Sequence, residues 1–270
     1  MYKAVFLDMD GTLLKSDHTI SEATKRTISR LTHQGIPVIL VSARPLDAIL
    51  PYVRDLGTAH YPVVSLNGGY IVLGEEPIFQ AVIDAETTAG LVRELKQFSN
   101  TTAYYLRREW FAEVDDEWVK HEQRISDVRV RIQPIEGLVE DWAGRGTGPN
   151  KLMVMSDPPS IGLIQGHLKS IYGDGLNIYP SKPTYLEIMN PEGSKSNAVR
   201  FLIGRMGLDR SEIIAMGDNY NDKEMIRFAG MGVAMGNAPD EIKQAADYVT
   251  ETNNEDGVRK ALEKLIPGEG

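Results

Sequence analysis

The chain has 270 residues, 42% of them hydrophobic and 25% charged, enough for one large globular domain or two unequal ones with real cores. A formal charge of −9 argues against nucleic acid or an anionic membrane as partner, while a local cation and a few basic residues leave an anionic small molecule open. The absence of cysteine excludes disulfides, thiolate zinc sites and cysteine nucleophiles, and no apolar run approaches the ~20 residues of a membrane-spanning helix.

The chain goes straight into an apolar run, residues 4–7, with no signal peptide ahead of it, so a cytoplasmic location is expected. That run reads as a strand buried on both faces, as in a parallel sheet. Asp8 and Asp10 follow it and, with the two-residue period of a strand, share one face. Gly11 then lets the backbone turn sharply and approach a ligand closely. Two neighbouring carboxylates need a cation between them or a proton on one of them, so the pair suits magnesium binding or general acid work. A solvated Asp-rich turn is the other reading. A calcium loop fits poorly, because it places Gly sixth and Glu twelfth, whereas Gly11 falls fourth counting from Asp8.

Ser21 is placed to cap a helix with Ala23, Ile28 and Leu31 on its inner face and Gly35 at its end. Residues 36–41 read as a second buried strand, ending in Ser42-Ala43-Arg44-Pro45, with Pro45 opening a helix that runs to Leu56. Strand, helix and strand in this order predict parallel neighbours, so Ser42 falls at the same carboxyl edge as Asp8. Its hydroxyl is suited to a phosphate oxygen or to a helix cap. Residues 63–66 read as a third strand, and Asn67-Gly68-Gly69 as a turn into a hairpin around 70–73 and 78–83.

From Asp84 the pattern changes to helices and short strands without βαβ order, which predicts an inserted α+β domain over 84–189. Within it, the glycine-rich stretch 136–150 reads as a mobile loop. After Asn190 the βαβ pattern returns. Ser194 caps a helix over 195–206. Residues 213–216 form a buried strand that ends in Gly217-Asp218-Asn219-Tyr220-Asn221-Asp222, with Asn221 or Asp222 capping the next helix. A short strand at 231–234, a helix over 239–246, an extended Tyr248-Val249, a final helix over 256–265 and a frayed tail from Pro267 to Gly270 complete the reading. The predicted architecture is α/β: a doubly wound, mostly parallel, Rossmann-like core sheet built from 1–83 and 190–270, with the α+β cap inserted between.

One sheet edge would thus gather Asp8 with Asp10, Ser42, Lys195, and Asp218 with Asn221 and Asp222. Carboxylates, a hydroxyl and a lysine are the parts that phosphoryl transfer through an aspartyl-phosphate needs. Lys195 in the first turn of a helix opposes the helix dipole, which favours a functional over a solvated charge.

The motif Asp8-Met9-Asp10-Gly11-Thr12-Leu13 resembles that of the haloacid dehalogenase superfamily of phosphohydrolases, and Gly217-Asp218-Asn219-Tyr220-Asn221-Asp222 resembles the acidic motif of its Cof-type branch, which has a large α/β (type IIB) cap. Ser42-Ala43-Arg44 stands where the family has Thr-Gly-Arg, and Gly193-Ser194-Lys195 where it has its Ser-Lys motif. The resemblance implies that Asp8 attacks phosphorus and Asp10 serves as general acid and then base. It implies Mg2+ held by Asp8, the backbone carbonyl of Asp10 and Asp218. Ser42, Ala43, Arg44, Lys195 and Asn221 would contact the phosphoryl group, and Asp222 would act from behind on metal waters or Lys195. Ser42 keeps the hydroxyl of the family's Thr, whereas Ala43 adds a Cβ where the family has Gly. Arg107, Arg108, His121, Lys151 and Tyr185 are the cap residues with chemistry for an anionic or sugar-like group. The expected substrate is a small phosphorylated metabolite, with a sugar phosphate first among candidates, and no obligate protein partner is implied. A phosphomutase of similar cap type, a receiver-like signalling domain and a phosphate-binding protein without turnover are the alternatives.

Overall fold

A computed structural model describes residues 1–268; Glu269 and Gly270, the end of the tail expected to fray, lie outside the described residues. By internal contacts the chain divides into two compact units. One comprises Met1–Ala43, Ile49–Ile78 and Ser194–Gly270, the other Arg44–Ala48 and Phe79–Gly193. No helix among the described residues is long and apolar enough to cross a membrane.

The first unit is built on a parallel sheet in the order Tyr248–Val249, Met231–Ala234, Ile213–Gly217, Ala4–Leu7, Val38–Leu40. The two ends of the chain therefore share one sheet. The central strands are apolar at every position because both faces are covered: Ala4–Leu7 and Ile213–Gly217 are buried throughout. Register aligns their carboxyl ends, with Leu7 opposite both Met216 and Leu40. The ladder runs one residue further on each side, through Asp8 N–H to the Met216 carbonyl at 3.0 Å and Val41 N–H to the Leu7 carbonyl at 2.8 Å. Pro62–Ser65 joins beside the second strand through a parallel bridge between Val41 and Val64, and it starts an antiparallel sheet with Tyr70–Leu73 and Glu76–Gln80.

The helices of this unit form where caps and apolar spacing coincide. Glu22–His33 begins at Ser21, whose hydroxyl accepts from Thr24 N–H, buries Ile28 and Leu31, and packs against Gly257–Leu265. Lys195–Met206 begins at Ser194, whose hydroxyl accepts from Asn197 N–H, and packs against Lys223–Phe228. Pro51 sits inside Leu46–Asp55 without ending it. Two expectations are revised. The helix expected over 239–246 is one turn, Asp240–Lys243. Asp222 precedes Lys223–Phe228 but makes no side-chain cap to it, because its carboxylate is committed elsewhere.

The second unit is α+β. Its sheet runs Asn177–Lys182, Tyr185–Met189, Lys151–Met155, Thr101–Leu106, Glu109–Ala112, Arg131–Ile132. The pairing is antiparallel except for the last pair, which is parallel. Tyr104, Phe111, Leu152, Val154, Leu186 and Ile188 share a core with residues of Ala85–Leu95, Ile135–Gly144 and Pro158–Tyr172. The stretch expected to be a mobile loop is thus largely the helix Ile135–Gly144, held by buried Ile135, Leu138 and Trp142.

Candidate active site

The loops after Ala4–Leu7 and Ile213–Gly217 leave the carboxyl ends of neighbouring parallel strands, and their side chains meet at the first turn of Lys195–Met206. Asp8 stays on the ladder through its backbone, so its carboxylate is fixed at the sheet edge and is 5% exposed. Lys195, in the first turn of its helix and 2% exposed, reaches between two carboxylates. Its Nζ donates to Asp8 Oδ1 at 2.5 Å and to Asp222 Oδ1 at 2.6 Å. The other oxygen of Asp222 accepts the backbone N–H groups of Asp218 and Asn219, each at 3.0 Å. Asp222, wholly buried, therefore shapes the loop that carries Asp218 and anchors Lys195.

Asp218 is positioned by the first motif. Thr12 Oγ1 donates to its Oδ1 at 2.9 Å. Gly11 has φ +81°, and a Cβ there would stand 2.4 Å from Asp218 Oδ2, so both the turn and the close approach require glycine. Asn237 Nδ2 donates to the Gly11 carbonyl at 2.8 Å and lies 3.5 Å from Asp218 Oδ2.

Asp8, Asp218 and Asp222 offer carboxylate oxygens that all lie within 4.8 Å of one another. One lysine offsets one of these three charges. Burial first, and the charge of Asp222 second, raise Asp8 well above the ordinary carboxyl range, and the same causes push Asp218 up to about 6. Burial alone would lower the Lys195 ammonium, but Asp222 and Asp8 outweigh it and hold it up. A buried excess of negative charge and hard oxygen donors fit a divalent cation of the magnesium class.

The remaining predicted residues are spread more widely. Asp10 is half-exposed, with Oδ1 3.8 Å from His18 Nδ1 and outside the group of three carboxylates. Ser42 is buried and its backbone is clamped, N–H to the Val64 carbonyl and carbonyl to Asn67 N–H, each at 2.9 Å. Ala43 falls with the first unit and Arg44 with the second. Asn221 donates its Nδ2 to Asn67 Oδ1 at 2.9 Å, and its own Oδ1 is buried without a partner. In the second unit, buried Lys151 pairs with Glu187 at 3.7 Å and lies 5.0 Å over the Tyr105 ring, and Tyr185 donates to Glu122 at 2.5 Å. Arg107 donates to Gln80, Arg108 to Asp47, and His121 is exposed. Thr12, Asn67 and Asn237 were not singled out from sequence. Asn67 and Asn237 each lie a few residues past a strand that ends at this edge, Asn67 after Pro62–Ser65 and Asn237 after Met231–Ala234, a placement that only the assembled sheet reveals.

A family model described as haloacid dehalogenase-like hydrolase matches residues 5–262. A Haemophilus influenzae protein named "Putative phosphatase" is 38% identical, over 99% of this chain and 99% of its own. A haloacid dehalogenase-like hydrolase from Bacteroides thetaiotaomicron has a solved structure with TM-score 0.88 and 33% identity, covering 98% of this chain and 100% of its own. The structure of the subclass IIB sugar phosphatase BT4131 shows the same fold, with TM-score 0.82 and 22% identity over 97% of this chain and 98% of its own.

Proposed function

Because the chain belongs to the haloacid dehalogenase-like hydrolases and is a phosphatase of that family, we propose that it hydrolyses a small phosphorylated metabolite, with a sugar phosphate the first candidate, through a covalent phosphoryl group on Asp8. The observation that carries this reading is the buried Lys195 ammonium held between Asp8 and Asp222 at 2.5 and 2.6 Å, at the sheet edge where Asp218 also stands.

In this reading an Asp8 oxygen attacks phosphorus and forms a P–O bond as the bond to the leaving oxygen breaks, and Asp10 gives that oxygen its proton. Asp10 then takes a proton from water as the water attacks phosphorus, the bond to Asp8 breaks, and phosphate is released. Asp10 gives one proton and takes one back in each turnover, so it ends the cycle as it began. Lys195 offsets charge on the phosphorylated carboxylate, and Ser42, with the loop through Ala43 and Arg44, and Asn221 supply donors to phosphoryl oxygens. Mg2+, held by Asp8, Asp218 and the Asp10 carbonyl, would supply the positive charge that draws a dianionic phosphate to a carboxylate. Its presence would also keep Asp8 ionised despite burial. Asp222 holds Lys195 and the Asp218 loop in place. A carboxylate two residues past the acceptor Asp8 favours hydrolysis over stable phosphorylation, because a tethered proton shuttle typically gives ~10²–10⁴ in rate.

The test is phosphate release from a panel of sugar phosphates, nucleotides, flavin mononucleotide and pyridoxal phosphate, with and without Mg2+, beside Asp8→Asn. Release that depends on Mg2+, disappears with excess chelator and drops to background in Asp8→Asn is the expected result. Near-wild-type release by Asp8→Asn would refute the covalent route, and release unaffected by chelator would remove the metal.

A further inference from the structure

Three consecutive residues, Leu66, Asn67 and Gly68, have left-handed backbones, with φ 50°, 53° and 92°. A leucine in that region is uncommon and costs on the order of 1–2 kcal/mol, so it persists only where the surroundings impose it. This turn follows Pro62–Ser65 and lies at the same edge as the motif loops, and it touches three of them. The Asn67 N–H donates to the Ser42 carbonyl at 2.9 Å. The Asn67 Oδ1 accepts from Asn221 Nδ2 at 2.9 Å, across 154 residues of sequence. A Cβ on Gly68 would stand 2.3 Å from the carbonyl oxygen of Ser194, the residue before Lys195.

We propose that Asn67 is a positioning residue for phosphoryl binding: its side chain fixes the Asn221 amide while its backbone fixes the Ser42 loop. This rests on the reading above that Asn221 and Ser42 meet the phosphoryl group. The residue type follows from two demands. The backbone must be left-handed, which Gly, Asn and Asp tolerate best. The side chain must accept from Asn221, which leaves Asn and Asp. An aspartate would add a fourth carboxylate beside Asp8, Asp218 and Asp222 and oppose a dianionic ligand. Asparagine meets both demands without charge. The bond also matters to Asn221, whose Oδ1 is buried without a partner, so that its Nδ2 contact with Asn67 sets which way the amide points.

The test uses the full chain with Mg2+ in excess and orthophosphate as probe, its binding read from the concentration-dependent rise in melting temperature. Asn67→Gly keeps the left-handed backbone and removes the carboxamide. It should weaken orthophosphate binding about tenfold, roughly the worth of one buried polar contact. Asn67→Gly combined with Asn221→Ala should bind no more weakly than Asn221→Ala alone, since Asn67 acts through Asn221. A purely structural role would lower the melting temperature of the free protein and leave the binding constant in place. Binding within twofold of wild type in Asn67→Gly, or losses that multiply in the double variant, would overturn the proposal. Wild-type protein that binds orthophosphate but hydrolyses no ester would sink the hydrolytic reading alone, and failure of wild type to bind it would sink both.

Discussion

Asp218 carries a charge that the folded site holds at a cost. It lies between the Thr12 hydroxyl, which donates to it, and the charge of Asp222, and its carboxyl is pushed up to about 6, by burial first and Asp222 second. A carboxyl raised in the folded state holds its proton more tightly there than in the unfolded chain. Its contribution to stability is therefore full below the unfolded value of 3.8 and is lost as pH rises through about 6. Asp8 shifts in the same direction. Metal-free protein should accordingly lose on the order of 2–3 kcal/mol from Asp218 between about pH 4 and pH 6. Asp218→Asn should flatten that profile in thermal melts and abolish the Mg2+-dependent rise in melting temperature. A metal-dependent rise that survives the substitution would place the cation elsewhere. At this scale the sequence was most legible where chemistry is packed into short runs: Asp8 with Asp10, and Asp218 with Asp222, announce themselves by spacing. Asn67 and Asn237 do not, because each looks like an ordinary turn residue until the sheet brings its strand end to the same edge.

At the scale of elements, local spacing and caps predicted most helices and strands to within a few residues. Lys195–Met206 and Lys151–Met155 coincide with expectation, since the cap and the apolar period agree in the first and the run is wholly buried in the second. The stretch 136–150 went the other way. Its glycines argue for a loop, but Ile135, Leu138 and Trp142 fall at spacings of three and four, and Trp142 packs edge-on against Phe111, with ring centroids 5.9 Å apart, and near Tyr104 at 6.4 Å. The burial of one large aromatic thus overrides weak helix formers. Trp142→Ala should cost about 3–5 kcal/mol in denaturant unfolding. Trp142→Phe should recover most of this, because it keeps ring contacts and removes an indole N–H that has no partner. A loss below about 1 kcal/mol for the alanine variant would mean that the helix is peripheral to its core.

At the scale of the whole molecule, the acidic balance, the two compact units and the placement of the site act together. The first unit draws its sheet from residues at both ends of the chain, so its carboxylate cluster exists only when distant segments have met. The second unit has a hydrophobic core of its own, to which residues from 83 to 188 contribute. Separate cores need not unfold together. Calorimetry should therefore resolve two transitions, assignable by perturbing each core. Mg2+ with orthophosphate should raise the transition of the unit that carries Asp8, Asp218 and Lys195, by an amount that grows as RT ln(1 + [L]/Kd). Trp142→Ala should lower the other transition and leave the ligand-dependent shift unchanged. If both perturbations move a single transition, the two units unfold as one cooperative block. The cost of burying three carboxylates around one lysine is then borne by the stability of the entire chain, and Asp218→Asn should stabilise the metal-free molecule as a whole.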